Sequence, residues 1–169
     1  MSEREIIRWV TVQGKHFPIY ADENGNEVFG AGIIADKTPS VVKTSLYHGT
    51  DTPDIREFNI EGRESNGAIF FADDKDYAEE EAYVKNEKSG KGKYLYEVNL
   101  DIQNPMRVKM PQKEFGDPVK ERKYIEQAKA QGNDSVIFTN DTQDEWLKQT
   151  FYAVFDPARI SIKSSHRLR

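Results

Sequence analysis

Cysteine is absent from this chain of 169 residues, which excludes thiolate nucleophiles, disulfide frameworks and cysteine-ligated zinc or iron–sulfur centres. Histidine is scarce: His16, His48 and His166 are too few for a histidine-rich metal site. Positive charge is in deficit, 24 Lys plus Arg against 29 Asp plus Glu. The resulting net charge of −5 argues against a large basic face that grips nucleic acid, while leaving room for a local patch. Long hydrophobic runs are missing as well. The least polar stretch, residues 28–35, contains two glycines and falls far short of the roughly 20 residues that cross a bilayer. The opening MSEREIIRWV has acids among its first five residues and no apolar core, so it does not read as a secretory signal. Together these absences predict a soluble, cytoplasmic protein with no membrane partner.

Aromatic residues are plentiful. Nine Phe, eight Tyr and two Trp give a chain of this length enough apolar bulk for a core without disulfides or metals, despite its 31% charged residues. Composition divides it into a β-rich leader at 1–40 and a main body at 41–169. In the leader, residues 8–12 read as a strand, Gln13-Gly14-Lys15 as a turn and residues 16–20 as the return strand. Residues 28–35 read as a loose strand or loop, and Thr38-Pro39-Ser40 as the hinge.

In the body, residues 44–47 predict a strand ending at His48-Gly49-Thr50, and GAIFFA at 67–72 a buried strand. Asp73 and Asp74 are cap candidates for a helix that runs to about residue 88 and is closed by Gly90. Residues 93–102 alternate, with Tyr94, Tyr96, Val98, Leu100 and Ile102 on one face, until Asn104-Pro105 stops them. Asp117 and Pro118 open a second helix that ends at Gly132, and residues 135–139, 151–155 and 160–163 complete the strands. About six strands in the body with two interspersed helices and no strict βαβ alternation point to an α+β fold.

Three segments are candidates for chemistry. Tyr47-His48-Gly49-Thr50 combines a donor/acceptor imidazole that suits a sugar hydroxyl, a glycine that admits close backbone approach, and an orienting hydroxyl; taken alone it reads equally as a capped strand end with a solvent-facing His. Residues 67–73 with the helix bearing Tyr77 and Tyr83 offer rings for stacking a flat heterocycle, or simply a packed core. The ending Phe151-Tyr152-Ala153-Val154-Phe155-Asp156-Pro157-Ala158-Arg159-Ile160 has no acid of its own, and Asp144 and Glu145 are the nearby carboxylates.

In order and spacing, these pieces resemble the ADP-ribosyltransferase superfamily. The similarity is to its diphtheria-toxin and poly(ADP-ribose)-polymerase-like branch, and closest to the transferase domains of phage and mobile-element polyvalent proteins. The family pattern is Tyr/Trp-His-Gly-Ser/Thr, then Gly-x-Ile-Tyr-Phe-Ala leading into a helix, then a last strand Glu-Tyr-Val-Val-Phe-Asp-Pro-x-Gln-Ile. Residues 94–106 and 134–138 also look like its middle strands, so the likeness spans about 44–164. It implies split antiparallel sheets with two or more helices and NAD as co-substrate. It further implies His48 at the adenosine-side ribose, Gly49 meeting the nicotinamide amide through its backbone, and Thr50 supporting that loop. Tyr47 adjoins them in the same motif, Phe70 stands where the family stacks a Tyr on nicotinamide, and Tyr77 or Tyr83 forms the opposite wall.

Phe151 stands where the family has its catalytic Glu, and a phenyl ring neither bonds the ribose nor favours a cationic transition state. Three alternatives follow: Glu145, then Asp144, reaches the pocket; the acceptor's own carboxylate assists; or the domain binds without turnover. The expected function is mono-ADP-ribosyl transfer to a macromolecule, a host protein before nucleic acid, as inhibitor or toxin. The leader resembles segments flanking phage-encoded domains, which points to a phage or mobile-element origin and a bacterial cytoplasm.

Overall fold

A computed structural model describes residues 5–13, 15–31, 40–42, 44–60 and 67–169. Gly14 of the first turn, residues 32–35 of the loose stretch, and Thr38 and Pro39 of the hinge lie outside the described residues. The leader forms an antiparallel three-stranded sheet of β1 (Ile6–Val12), β2 (Lys15–Ala21) and β3 (Glu27–Phe29). Trp9 N–H donates to the Gln103 carbonyl at 3.1 Å, tying this sheet to the body.

The body is built on strands β4 (Leu46–Thr50), β5 (Ile69–Ala72), β6 (Tyr94–Leu100), β7 (Pro105–Met110), β8 (Ser135–Asn140), β9 (Thr150–Val154) and β10 (Ile160–Arg167). They lie in the order β10-β6-β4-β5-β9-β8-β7. The expected split is present: β4 and β5 pair at a single position, Tyr47 opposite Ala72, so two half-sheets meet at one point. The α+β class stands, with one difference from a purely antiparallel arrangement. β7, which opens on the very proline expected only to end a strand, runs parallel to β8 through the crossover helix. A proline at the first strand position costs no ladder hydrogen bond.

Helix α1 (Lys75–Ser89) is capped as its sequence demands. The Asp74 carboxylate accepts from Asp76 and Tyr77 N–H, and Gly90 takes the left-handed conformation (φ 69°) that closes the helix. Its buried residues are two alanines one turn apart, Ala78 and Ala82, so it lies close against β4. Helix α2 (Pro118–Ala130) starts on the Asp117 cap and buries Ile125 and Ala128.

The core divides by sheet face. Ala72, Val136, Phe138, Phe151 and Ala153 pack with α2 on one face, where Tyr77 of α1 joins them. On the other, Leu46, Phe71, Tyr96 and Val98 pack beneath Phe58 of the loop 51–60. Tyr96 is fully buried and pins that loop: its hydroxyl donates to the Thr52 carbonyl and accepts from Ile55 N–H, both at 3.0 Å. No helix among the described residues is long and apolar enough to cross a membrane.

Candidate active site

The His-Gly-Thr segment belongs to β4 itself, which begins two residues later than its sequence suggests and includes the motif. Side chains alternate along the strand. Leu46, His48 and Thr50 therefore face the Phe58 side, while Tyr47 and Gly49 face α1. Tyr47 holds the one point where the half-sheets join.

Beyond that point the backbone ladder between β4 and β5 stops, and the His48 ring bridges the gap. Its Nδ1 donates to the Phe70 carbonyl at 2.8 Å. A carbonyl only accepts, so the proton sits on Nδ1 and Nε2 presents a lone pair. Phe58 meets the ring edge-on at 5.2 Å between centroids, and Phe71 lies at 5.6 Å. Burial first, and the Lys85 charge second, pull the His48 pKa down to about 4, against the opposing Phe70 hydrogen bond. The imidazole is neutral at pH 7, suited to accept a hydrogen bond from a hydroxyl and unsuited to act as a cation.

Gly49 answers a packing demand. A Cβ there would stand 1.7 Å from the Ala78 carbonyl oxygen, inside α1's own backbone. Its carbonyl accepts from Lys85 Nζ at 2.8 Å. Thr50 is buried, and its Oγ1 accepts from Thr52 N–H at 3.3 Å where the loop departs.

Phe70, Tyr77 and Phe151 gather on the opposite face of the sheet. Phe70 stacks on Phe138 at 6.3 Å. Phe151, 8% exposed, packs against Phe115 at 4.6 Å, nearly parallel, and against Tyr77 at 5.0 Å. Tyr77 Oη donates to Glu81 at 3.2 Å. Burial, followed by Glu81 and Glu121, pushes the Tyr77 hydroxyl well above its ordinary range, so it stays protonated. Glu121, on the first turn of α2, is itself buried, and desolvation raises its carboxyl to about 7 against a hydrogen bond from the Gly116 backbone.

The remaining candidates stand apart. Tyr83 is on another face of α1, 43% exposed, its hydroxyl donating to the Arg169 carbonyl at 3.0 Å. Asp144 caps a single-turn helix at Glu145–Leu147 by accepting from Trp146 N–H. Glu145 is exposed and pairs with Lys148 at 2.6 Å. The structure thus joins His48 to Phe70 through one hydrogen bond and Tyr77 to Phe151 through ring contact.

Sequence reasoning missed Phe58, Tyr96, Phe115 and Glu121 as neighbours of these groups. Phe58 and Phe115 sit in loops without periodicity, and Glu121 reads as an ordinary helix-surface acid. Tyr96 alone carried a signal, as one of the alternating aromatics of its strand.

A family described as ADP-ribosyltransferase in polyvalent proteins has a model that matches residues 42–166. That span holds β4 to β9, β10 as far as His166, and both helices, and covers most of the chain. The comparisons with curated proteins and with solved structures found no match.

Proposed function

The chain belongs to the ADP-ribosyltransferases of polyvalent proteins, and we propose that it is a NAD-dependent mono-ADP-ribosyltransferase of a phage or mobile element. Its acceptor in this reading is a host protein, and its role that of inhibitor or toxin in the bacterial cytoplasm. The observation that carries the activity is the family match over every strand bearing the motifs. The acceptor rests on the acidic net charge, which weighs against bulk attraction to nucleic acid.

In the reaction, the bond between ribose C1′ and the nicotinamide nitrogen breaks, and its electron pair leaves with neutral nicotinamide. An acceptor nucleophile then bonds to C1′ and loses its proton to solvent. Catalysis of this kind is mostly positioning and charge stabilisation, which suits a site with little acid–base machinery. His48 supplies a neutral acceptor for a ribose hydroxyl, oriented by the Phe70 carbonyl. Gly49 offers its backbone to the amide, and Phe70, whose ring lies on the sheet's other face, offers a ring face to a ligand that enters the split between the half-sheets. Glu145 is the acid assigned to the ribosyl cation. Its present partner, Lys148, is an exposed one that costs little to leave.

One observation favours a second reading, a transferase fold that binds without turnover: Phe151 is packed between two rings at the family's glutamate position. Calorimetric titration with NAD tests both. Binding that disappears in His48→Ala supports either, and nicotinamide release separates them. A folded sample that does not bind NAD at millimolar concentration contradicts both.

A further inference from the structure

Two segments far apart in sequence meet at the end of α1. The turn Ser89-Gly90-Lys91-Gly92-Lys93 leads into β6, and Arg167 ends β10, with Leu168-Arg169 following it. Strand pairing brings them side by side: Arg167 stands opposite Tyr94, and Leu168 N–H donates to the Lys93 carbonyl at 2.8 Å. Between them lies an open cleft of about 470 Å³, within the size range of ligand sites. Half of its lining is cationic: Lys91, Lys93, Arg167 and Arg169.

This concentration runs against a chain of net charge −5. Neither Lys91 nor Arg167 forms an ion pair among the described residues. Asp51 offsets part of the charge, its carboxyl held low by the Ser89 hydroxyl and, more weakly, by Lys91. The turn is pre-shaped, since Gly92 N–H donates to the Asn86 side chain at 2.8 Å. Beside the cleft is Tyr83, 43% exposed: Lys93 Nζ lies 4.1 Å from its ring centre and covers one face, and both Lys93 Nζ and the Tyr83 hydroxyl donate to the Arg169 carbonyl, which leaves the other face of the ring to a ligand. Solvated lysines on a convex helix need no explanation. A concave site that collects cations from two remote segments around a ring has the makings of a nucleic-acid channel, in which charge tracks the backbone and an aromatic takes a base.

We infer that this cleft is a docking site for single-stranded nucleic acid, with phosphates against Lys91, Arg167 and Arg169 and a base against Tyr83. It is distinct from the His48 site and does not depend on the acceptor. It would bring the enzyme to proteins that work on nucleic acid.

The test is fluorescence anisotropy with labelled DNA and RNA oligonucleotides of about 12 nucleotides, within the span of one such channel. The wild type is compared with a Lys91→Glu/Arg167→Glu double variant and with Lys109→Glu/Lys113→Glu, an equal charge change elsewhere on the surface. We expect binding that weakens with salt, a loss of at least about tenfold in the cleft variant, and less than about twofold in the control. Thermal melts check that both variants are folded. Four results would overturn the proposal: no binding by the wild type; equal loss in both variants; displacement by millimolar NAD, which would make the cleft a co-substrate subsite; or polyglutamate binding as tightly as the oligonucleotides.

Discussion

At the scale of single residues, the site is shaped by what packing forbids. Gly49 is the sharpest case. Substitution by alanine drives a methyl into the Ala78 carbonyl at 1.7 Å, so α1 must move off β4. We expect Gly49→Ala to lower stability by about 2–3 kcal/mol or more in denaturant titration, the cost of overpacking against backbone that cannot yield. Phe151→Ala leaves a cavity between Phe115 and Tyr77 and should cost about 3–5 kcal/mol by the same measurement.

Two titrating groups act in opposite directions on the fold. His48 is pulled down to about 4 from 6.5. Its stabilising effect is present above pH 6.5 and is lost as pH falls toward 4. Glu121 is pushed up to about 7 from 4.5, so its effect is present below pH 4.5 and is lost as pH rises through 7. Over the interval where both operate, the two slopes oppose each other. Glu121→Gln should therefore raise the melting temperature at pH 8, where the wild type buries a charge, and leave it little changed at pH 5. A gain that is equal at both values contradicts the assignment.

At the scale of elements, the loop 51–60 governs the His48 environment, and Tyr96 governs the loop. Tyr96→Phe removes both hydroxyl bonds and leaves the Thr52 carbonyl and Ile55 N–H unsatisfied. The expected cost is about 1–3 kcal/mol. With Phe58 loosened, water should reach the imidazole and the His48 pKa should rise toward 6.5, as read by NMR titration. A pKa that stays near 4 would mean that Phe71 and the sheet alone desolvate it.

Elements with local signals were legible in the sequence. Asp74 and Gly90 bound α1, and Asp117 with Pro118 starts α2, because caps are satisfied within a few residues. The alternation from Tyr94 onward is β6. What depends on distant partners was not legible. β7 begins on a proline and exists because β8 offers it a parallel ladder. β10 extends to Arg167, well past its apolar start, because β6 supplies partners for a polar stretch.

At the scale of the whole molecule, the family's motif order foretold the split sheet, since it places His48 and Phe70 on adjoining strands of different half-sheets. The separation of faces was hidden. No spacing rule says that His48 and Phe151 point to opposite sides, because that follows from the register of β4, β5 and β9 together. Charge shows the same limit. A net −5 conceals a cleft in which Lys91, Lys93, Arg167 and Arg169 converge, because summed charge carries no geometry.

The central claim is that the split sheet hosts NAD cleavage at His48. The direct measurement is nicotinamide release from NAD, with and without host lysate, by the wild type beside His48→Ala and Glu145→Ala, with folding confirmed by melting curves. Release that falls at least about tenfold in His48→Ala, the loss expected for a substrate-orienting hydrogen bond, is the predicted result. A matching fall in Glu145→Ala would identify that acid as the replacement for the missing glutamate. No release by the folded wild type, with or without lysate, would contradict the account.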